Sequence, residues 1–157
     1  SPRFGGVAKL MEQKLHIGFK GKKNASSTLV ECLSDSPCLL TNSFAGVKRD
    51  IKCLPEHYDS VLMFGIDKNL KETVRIERVA EREGIRLCSD LDLEDISTRL
   101  STAGVQNFIS DTPTQYLCNE AYWLALQKYK GKAVFIHIPT MKNMDENFFE
   151  RMKEALG

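Results

Sequence analysis

The chain has 157 residues, of which 42% are hydrophobic and 27% charged, and its net charge is +1 at neutral pH. This is the make-up of one globular domain with its own core, and it offers no overall field for nucleic acid or an acidic membrane. No run approaches the ~18 apolar residues of a membrane span, and the opening SPRFGGVAKLMEQ holds no apolar signal core, so a cytoplasmic protein without membrane or nucleic-acid partners is expected.

The five cysteines, Cys32, Cys38, Cys53, Cys88 and Cys118, are odd in number and show no C-x-x-C spacing. A disulfide framework and a zinc site are both disfavoured by that pattern. The three histidines, His16, His57 and His137, form no ligand-like pair, so neither a structural metal nor a cofactor is expected. Most of the thiols are expected to be reduced and packed.

Residues 1–13 precede the first strand signal and read as an extension of a single domain covering 14–157. LHIGF (15–19) reads as a buried strand, and NASSTLVECLS (24–34) as a helix capped by Asn24 or Ser26. The KGKK run at 20–23 between them reads as a solvated loop. PCLLTNSF (37–44) is a second strand, and AGVKRDIKCL (45–54) a helix stopped at Pro55. SVLMFGI (60–66) carries the strongest buried-strand signal and ends in a turn at Gly65. ETVRIERVA (72–80) alternates and reads as a strand, with helix as the alternative for RIERVAERE. LEDISTRLSTAG (93–104) is a helix with a stop at Gly104, and VQNFIS (105–110) a strand. TPTQYLCNEAYWLALQKYKG (112–131) is a helix, KAVFIHIP (132–139) a buried strand, and DENFFERMKEAL (145–156) a closing amphipathic helix. Alternating strands and helices predict an α/β fold in three layers: a mainly parallel twisted sheet with helices on both faces.

Ligands of such sheets bind at the carboxyl ends of the strands. Cys118, His137 and Glu77 fall near three such ends. A free thiol of pKa ~8.5 is only a few per cent ionised at neutral pH, so a nucleophilic Cys118 needs help. Helix start is one source. With Thr112 as cap, Pro113 first in the helix and Gln115 completing a capping box, Cys118 lies in the second turn, where the dipole has faded. With Thr114 as cap it lies in the first turn. His137 is the other source, with Glu77 to orient its ring. The plain alternative is a packed cysteine and a buried structural histidine. His16 reads as a satisfied core or edge histidine, His57 as a surface residue, and Tyr122 and Trp123 as helix–sheet packing.

Three strings, YLCN after SDTPTQ, FIHIP, and IERVA after a buried strand, occur in the order and approximate spacing of one family. The chain resembles the pyroglutamyl peptidase I (pyrrolidone-carboxylate peptidase) family of cysteine peptidases, in pieces from about residue 15 to 139. The resemblance implies an α/β fold, removal of N-terminal pyroglutamate from peptides, and a triad of Cys118, His137 and Glu77. It also implies a peptide or small amide substrate, a homo-oligomer, and substrate contacts from Phe19, Tyr116 and Asn119. The Cys118 backbone N–H is the expected oxyanion donor.

The departures concern the pocket. Where the family carries a stretch like G-F-x-P-F-G-G and then N-P-S, this chain has GFKGKKNASS, which keeps Gly18, Phe19 and Asn24 but lacks the second aromatic. The FGG at 4–6 has no strand before it. Where the family carries G-Q-A-G-G-R, this chain has GIDKNLKE and keeps only Gly65. The segment after ERVA is shorter, and Pro113 and Thr114 replace an A-G pair. Two alternatives therefore stand beside the pyroglutamyl reading: a related cysteine amidase or peptidase with another substrate, and a non-catalytic homologue that acts as a binding protein. A nucleotide site in GFKGKKNASS is disfavoured, because it matches neither G-x-x-x-x-G-K-[ST] nor G-x-G-x-x-G.

Overall fold

The computed structural model describes residues 12–157. The FGG at 4–6 and most of the expected extension lie outside the described residues. Gln13 is already tied in, donating its N–H to the Asp59 carboxylate at 2.7 Å.

The elements in chain order are β1 (Lys14–Phe19), α1 (Ala25–Leu33), β2 (Cys38–Leu40), α2 (Phe44–Lys52), β3 (Ser60–Ile66), β4 (Thr73–Glu77), β5 (Val79–Arg82), β6 (Ile85–Cys88), α3 (Leu93–Thr102), β7 (Gln106–Ser110), α4 (Tyr116–Lys128), β8 (Ala133–Ile138) and α5 (Phe148–Leu156). Six strands form one sheet in the order β2-β1-β3-β8-β4-β7. The first four run parallel. β4 is antiparallel to β8 and parallel to β7. The three-layer α/β architecture expected from the alternation is therefore present, with one reversal in an otherwise parallel sheet.

The sheet is covered on both sides, which is why its central strands read as unbroken apolar runs. α1, α3 and α5 bury Leu29, Leu100 and Met152 on one face, against Leu62, Phe64, Ile76, Val134 and Ile136. α2 and α4 bury Val47, Ile51, Ala121, Tyr122 and Leu126 on the other, against Ile17, Met63 and Phe135. Helix ends follow local chemistry. Asn24 Oδ1 accepts from the Ser26 N–H at 2.8 Å, and Asp92 Oδ1 from the Asp95 N–H at 3.0 Å.

Three expectations are corrected. Gly65 is not in a turn: it lies inside β3, which continues to Ile66. The segment 72–80 is not one strand. β4 ends at Glu77, and after Arg78 the chain forms a separate antiparallel hairpin, β5–β6. That hairpin turns through Glu83 (φ 51°) and Gly84 (φ 78°), flanked by the pair Arg82 and Ile85. Two successive positive φ values are what a tight two-residue hairpin requires, and Glu-Gly is a weaker advertisement of it than Asn-Gly. Finally, α4 begins at Tyr116 with Gln115 in the cap position, so Thr112 and Pro113 stay in the preceding loop.

Ile136 stands in a central strand with no exposed surface. Truncating it leaves a cavity that neither covering layer can close. Ile136→Ala is expected to cost about 2–5 kcal/mol, read as a lower denaturant midpoint with an unchanged slope.

Candidate active site

Register explains how distant residues converge. Gly65 on β3 is the partner of His137 on β8, and His137 is the partner of Arg75 on β4, which in turn pairs with Phe108 on β7. Paired residues share a sheet face, and side chains alternate along each strand. Arg75, Glu77, Phe135 and His137 therefore project from the face that α4 covers. Gly65 and His137 are each the last but one residue of their parallel strands, at the carboxyl end where open α/β sheets bind ligands.

α4 delivers the thiol to this row. A Cβ placed on Gly65 would lie 3.1 Å from Cys118 Sγ and 2.7 Å from Phe135 Cζ. The sulfur thus occupies the space a side chain at residue 65 would take, above a strand that lies one spacing, about 4.8 Å, from the strand carrying His137. This is the physical reason for glycine inside a buried strand.

His137 is 3% exposed and Glu77 1%. His137 Nδ1 lies 2.6 Å from Glu77 Oε2. This contact places the proton on Nδ1 and leaves Nε2 as the lone-pair nitrogen. Nε2 has no hydrogen bond in this state, to Cys118 or to any other described residue. The ring also packs on Phe135, with centroids 4.8 Å apart, and Phe135 packs on Phe19 at 6.4 Å.

Sequence reasoning missed two members of the cluster. Arg75 Nε donates to the same Glu77 Oε2 at 2.6 Å, and its other end donates to Asp67 Oδ2 at 2.9 Å. The i, i+2 spacing of Arg75 and Glu77 in VRIE was the available signal, once that stretch is read as a strand. Burial alone pushes the Asp67 carboxyl up, yet the Asn69 N–H, Arg75 and a charged His137 together hold it below the usual carboxylate range. Burial pushes the Cys118 thiol up to about 12; Glu77 and Asp67 add to this and Arg75 opposes it. The resting thiol is protonated, so a nucleophile at this position has to be made by proton transfer during attack.

The start of α4 supplies donors. Cys118 lies in its first turn, two residues after Tyr116. The first N–H groups of a helix have no intrahelical acceptor, and Gln115 provides no side-chain cap. The amides of Tyr116, Leu117 and Cys118 are thus available to an oxyanion. Tyr116 adopts φ 59°, a strained value for a bulky residue, and the residue is 82% exposed.

Of the residues expected to contact substrate, Phe19 is buried beneath Phe135 and Tyr116 stands free at the helix start. Asn119 is engaged elsewhere: its Oδ1 accepts from the Glu81 N–H at 3.0 Å and its Nδ2 donates to the Glu81 carbonyl at 2.7 Å. It clamps the β5–β6 hairpin to α4. The buried Tyr122 hydroxyl donates to the Glu77 carbonyl at 2.7 Å and fixes the end of β4. Among the described residues no cluster of His, Cys, Asp and Glu is suited to a metal ion, and no helix is long and apolar enough to cross a membrane.

Gly65→Ala tests the seating of the thiol. The added methyl meets the Phe135 ring and the Cys118 sulfur, so the protein is expected to lose about 1–3 kcal/mol, with Cys118 becoming more open to alkylation as α4 is lifted. Equal stability and an unchanged alkylation rate would show that the sulfur does not rest there.

No family model and no curated protein matches the sequence. Solved structures match its fold. The pyrrolidone carboxyl peptidase from Thermococcus litoralis aligns at TM-score 0.79 and 18% identity, covering 92% of this chain and 91% of that one. The pyrrolidone carboxyl peptidase from Thermus thermophilus aligns at 0.75 and 19%, over 91% and 98%. The Pyrococcus furiosus pyrrolidone carboxyl peptidase aligns at 0.73 and 20%, over 90% and 95%. At these identities the shared property is the fold, and nearly the full length of both chains takes part: the chain has the fold of the pyrrolidone carboxyl peptidases.

Proposed function

We propose that this protein is a cysteine peptidase that removes N-terminal pyroglutamate from peptides, with Cys118 as nucleophile, His137 as base and Glu77 as the group that orients the base. The observation that carries the reading is the seating of the Cys118 sulfur over Gly65, the strand partner of His137, whose Nδ1 is held by the buried Glu77 at 2.6 Å. A fold shared with pyrrolidone carboxyl peptidases supports it.

The mechanism follows from the protonation states. His137 Nε2 takes the thiol proton as Cys118 Sγ attacks the amide carbonyl, which requires the ring and the sulfur to close together on substrate binding. The carbonyl oxygen becomes an oxyanion facing the free amides at the start of α4. The imidazolium then gives its proton to the departing amine. Water, deprotonated by the same nitrogen, releases the acyl group and regenerates the thiol. Glu77 stabilises the imidazolium in both halves.

A second reading has its own support. Asp67, in the GIDKNLKE stretch that stands where the family sequences carry G-Q-A-G-G-R, forms an ion pair with Arg75 of β4 beside the base. A charged wall suits a more polar acyl group than a lactam, so a cysteine amidase with another substrate is the alternative.

Hydrolysis of a fluorogenic pyroglutamyl amide at neutral pH under reducing conditions separates the two. Turnover is expected, abolished in Cys118→Ala and His137→Ala and lowered about 10²–10⁴-fold in Glu77→Gln. No turnover, with amides of polar or charged N-terminal residues cleaved in a Cys118-dependent way, would favour the second reading. No Cys118-dependent cleavage of either class would overturn both.

A further inference from the structure

We propose that Arg75, anchored by Asp67, is a positioning residue that sets how readily His137 takes a proton, by sharing with it a single oxygen of Glu77. This rests on the reading of His137 as the base and concerns how that base is tuned.

The distribution of donors over the Glu77 carboxylate carries the inference. Oε2 receives both the His137 Nδ1 proton and the Arg75 Nε proton, each at 2.6 Å. Oε1 is buried and has no partner. A buried carboxylate that served His137 alone would have both oxygens free to stabilise an imidazolium. Here the oxygen facing the imidazole is the one already polarised by a guanidinium. Arg75 is itself held by Asp67 Oδ2 at 2.9 Å, and 21% of its side chain is exposed. It cannot swing away from Glu77 without breaking a second ion pair.

Several charged or titratable groups share this site with His137. Glu77 and Arg75 come from β4, Asp67 from the residue after β3, and the Cys118 thiol from α4. With His137 neutral, two carboxylates face one guanidinium. The cation disfavours a second cation on the imidazole, while the two anions favour it. The fixed charges around the imidazole therefore act on it with opposite signs.

The two supporting residues therefore act with opposite signs. Loss of Arg75 frees Glu77 Oε2 to act wholly on His137 and removes a nearby positive charge. Loss of the Asp67 charge removes an anion and leaves Arg75 uncompensated. A general disturbance of the site would move His137 the same way in both cases, towards the value of a free imidazole.

The test is an NMR titration of the histidine ring carbons in the full chain. It is run without substrate and in a Cys118→Ala background, so that the thiol does not couple to the imidazole. Arg75→Met is expected to raise the His137 midpoint by about one pH unit or more. Arg75→Lys should recover most of that shift, and Asp67→Asn should move the midpoint the other way. His16 and His57 report whether the rest of the fold is undisturbed. Shifts of the same sign in Arg75→Met and Asp67→Asn, or no shift in either, would overturn the proposal. If Arg75→Met does not fold, Asp67→Asn decides alone: a lowered midpoint supports the proposal, and an unchanged or raised one overturns it. The titration needs no turnover, so failure of the pyroglutamyl assay and failure of this inference are read separately.

Discussion

A carboxylate that is 1% exposed is the most demanding group in this molecule, and much of the site is arranged around it. A buried charge is tolerated only when it is paired and hydrogen-bonded. Glu77 meets that condition through His137 and Arg75 on one oxygen. The reversal of strand direction at β4 serves the same end. It sets Arg75 opposite His137 and Glu77 opposite Phe135, so both charged side chains of β4 share the site face with the imidazole. Asp67 extends the pairing to the end of β3. The backbone of Glu77 is held separately, by the Tyr122 hydroxyl from α4. Breaking such a network from one side typically costs 3–5 kcal/mol, which is why the imidazole is held in one orientation.

Opposite this polar group stands a steric constraint at Gly65. The residue sits in a central strand, where glycine forgoes packing and entropy. It is accommodated because the sulfur of Cys118 and the ring of Phe135 occupy the vacated volume. The strained Tyr116, two residues before Cys118, has the same consequence at the other end of the contact. A positive φ at a bulky residue costs of order 1–3 kcal/mol, offset by the buried Ala121, Tyr122 and Ala125 that lock α4 onto the sheet. Together they lower the start of a helix, with its free amides, onto the end of a strand.

The apolar runs at 60–66 and 132–139 made the parallel core legible, because fully covered strands need no polar face. The closing helix and the cap at Asn24 were legible for similar local reasons. Gly65 was misread as a turn, since the space that a missing side chain leaves for another element has no local signature. The β5–β6 hairpin was hidden because Glu83-Gly84 is an unusual tight turn and VAERE also suits a helix. The start of α4 was placed early because Thr112, Pro113 and Gln115 spell a capping box that tertiary packing overrides. Cys118, His137 and Glu77 could be singled out from residue type, position and resemblance. Arg75 had only its i, i+2 spacing to Glu77 to mark it, and Asp67 had no local mark, because the pairing that joins them to His137 is made across strands that no single segment encodes.

The protonation of Cys118 also decides what kind of nucleophile the site can provide. Burial pushes the Cys118 thiol up to about 12, so it is protonated at neutral pH. A standing thiolate–imidazolium pair is therefore not the resting state. In the proposed mechanism the thiol is neutral at rest, and charge appears on it only as the carbonyl is attacked. That arrangement suits a site whose fixed charges are already paired. A resting thiolate would face Glu77 and Asp67 with Arg75 alone in its favour. In the proposed reaction, charge that develops in the transition state would instead move outward, from sulfur to the carbonyl oxygen and towards the amides at the start of α4. The proton moves the other way, to an imidazole backed by a buried carboxylate. The proposed mechanism thus separates the two developing charges along the sheet, the negative one at a helix start and the positive one over β8, starting from a protonated thiol.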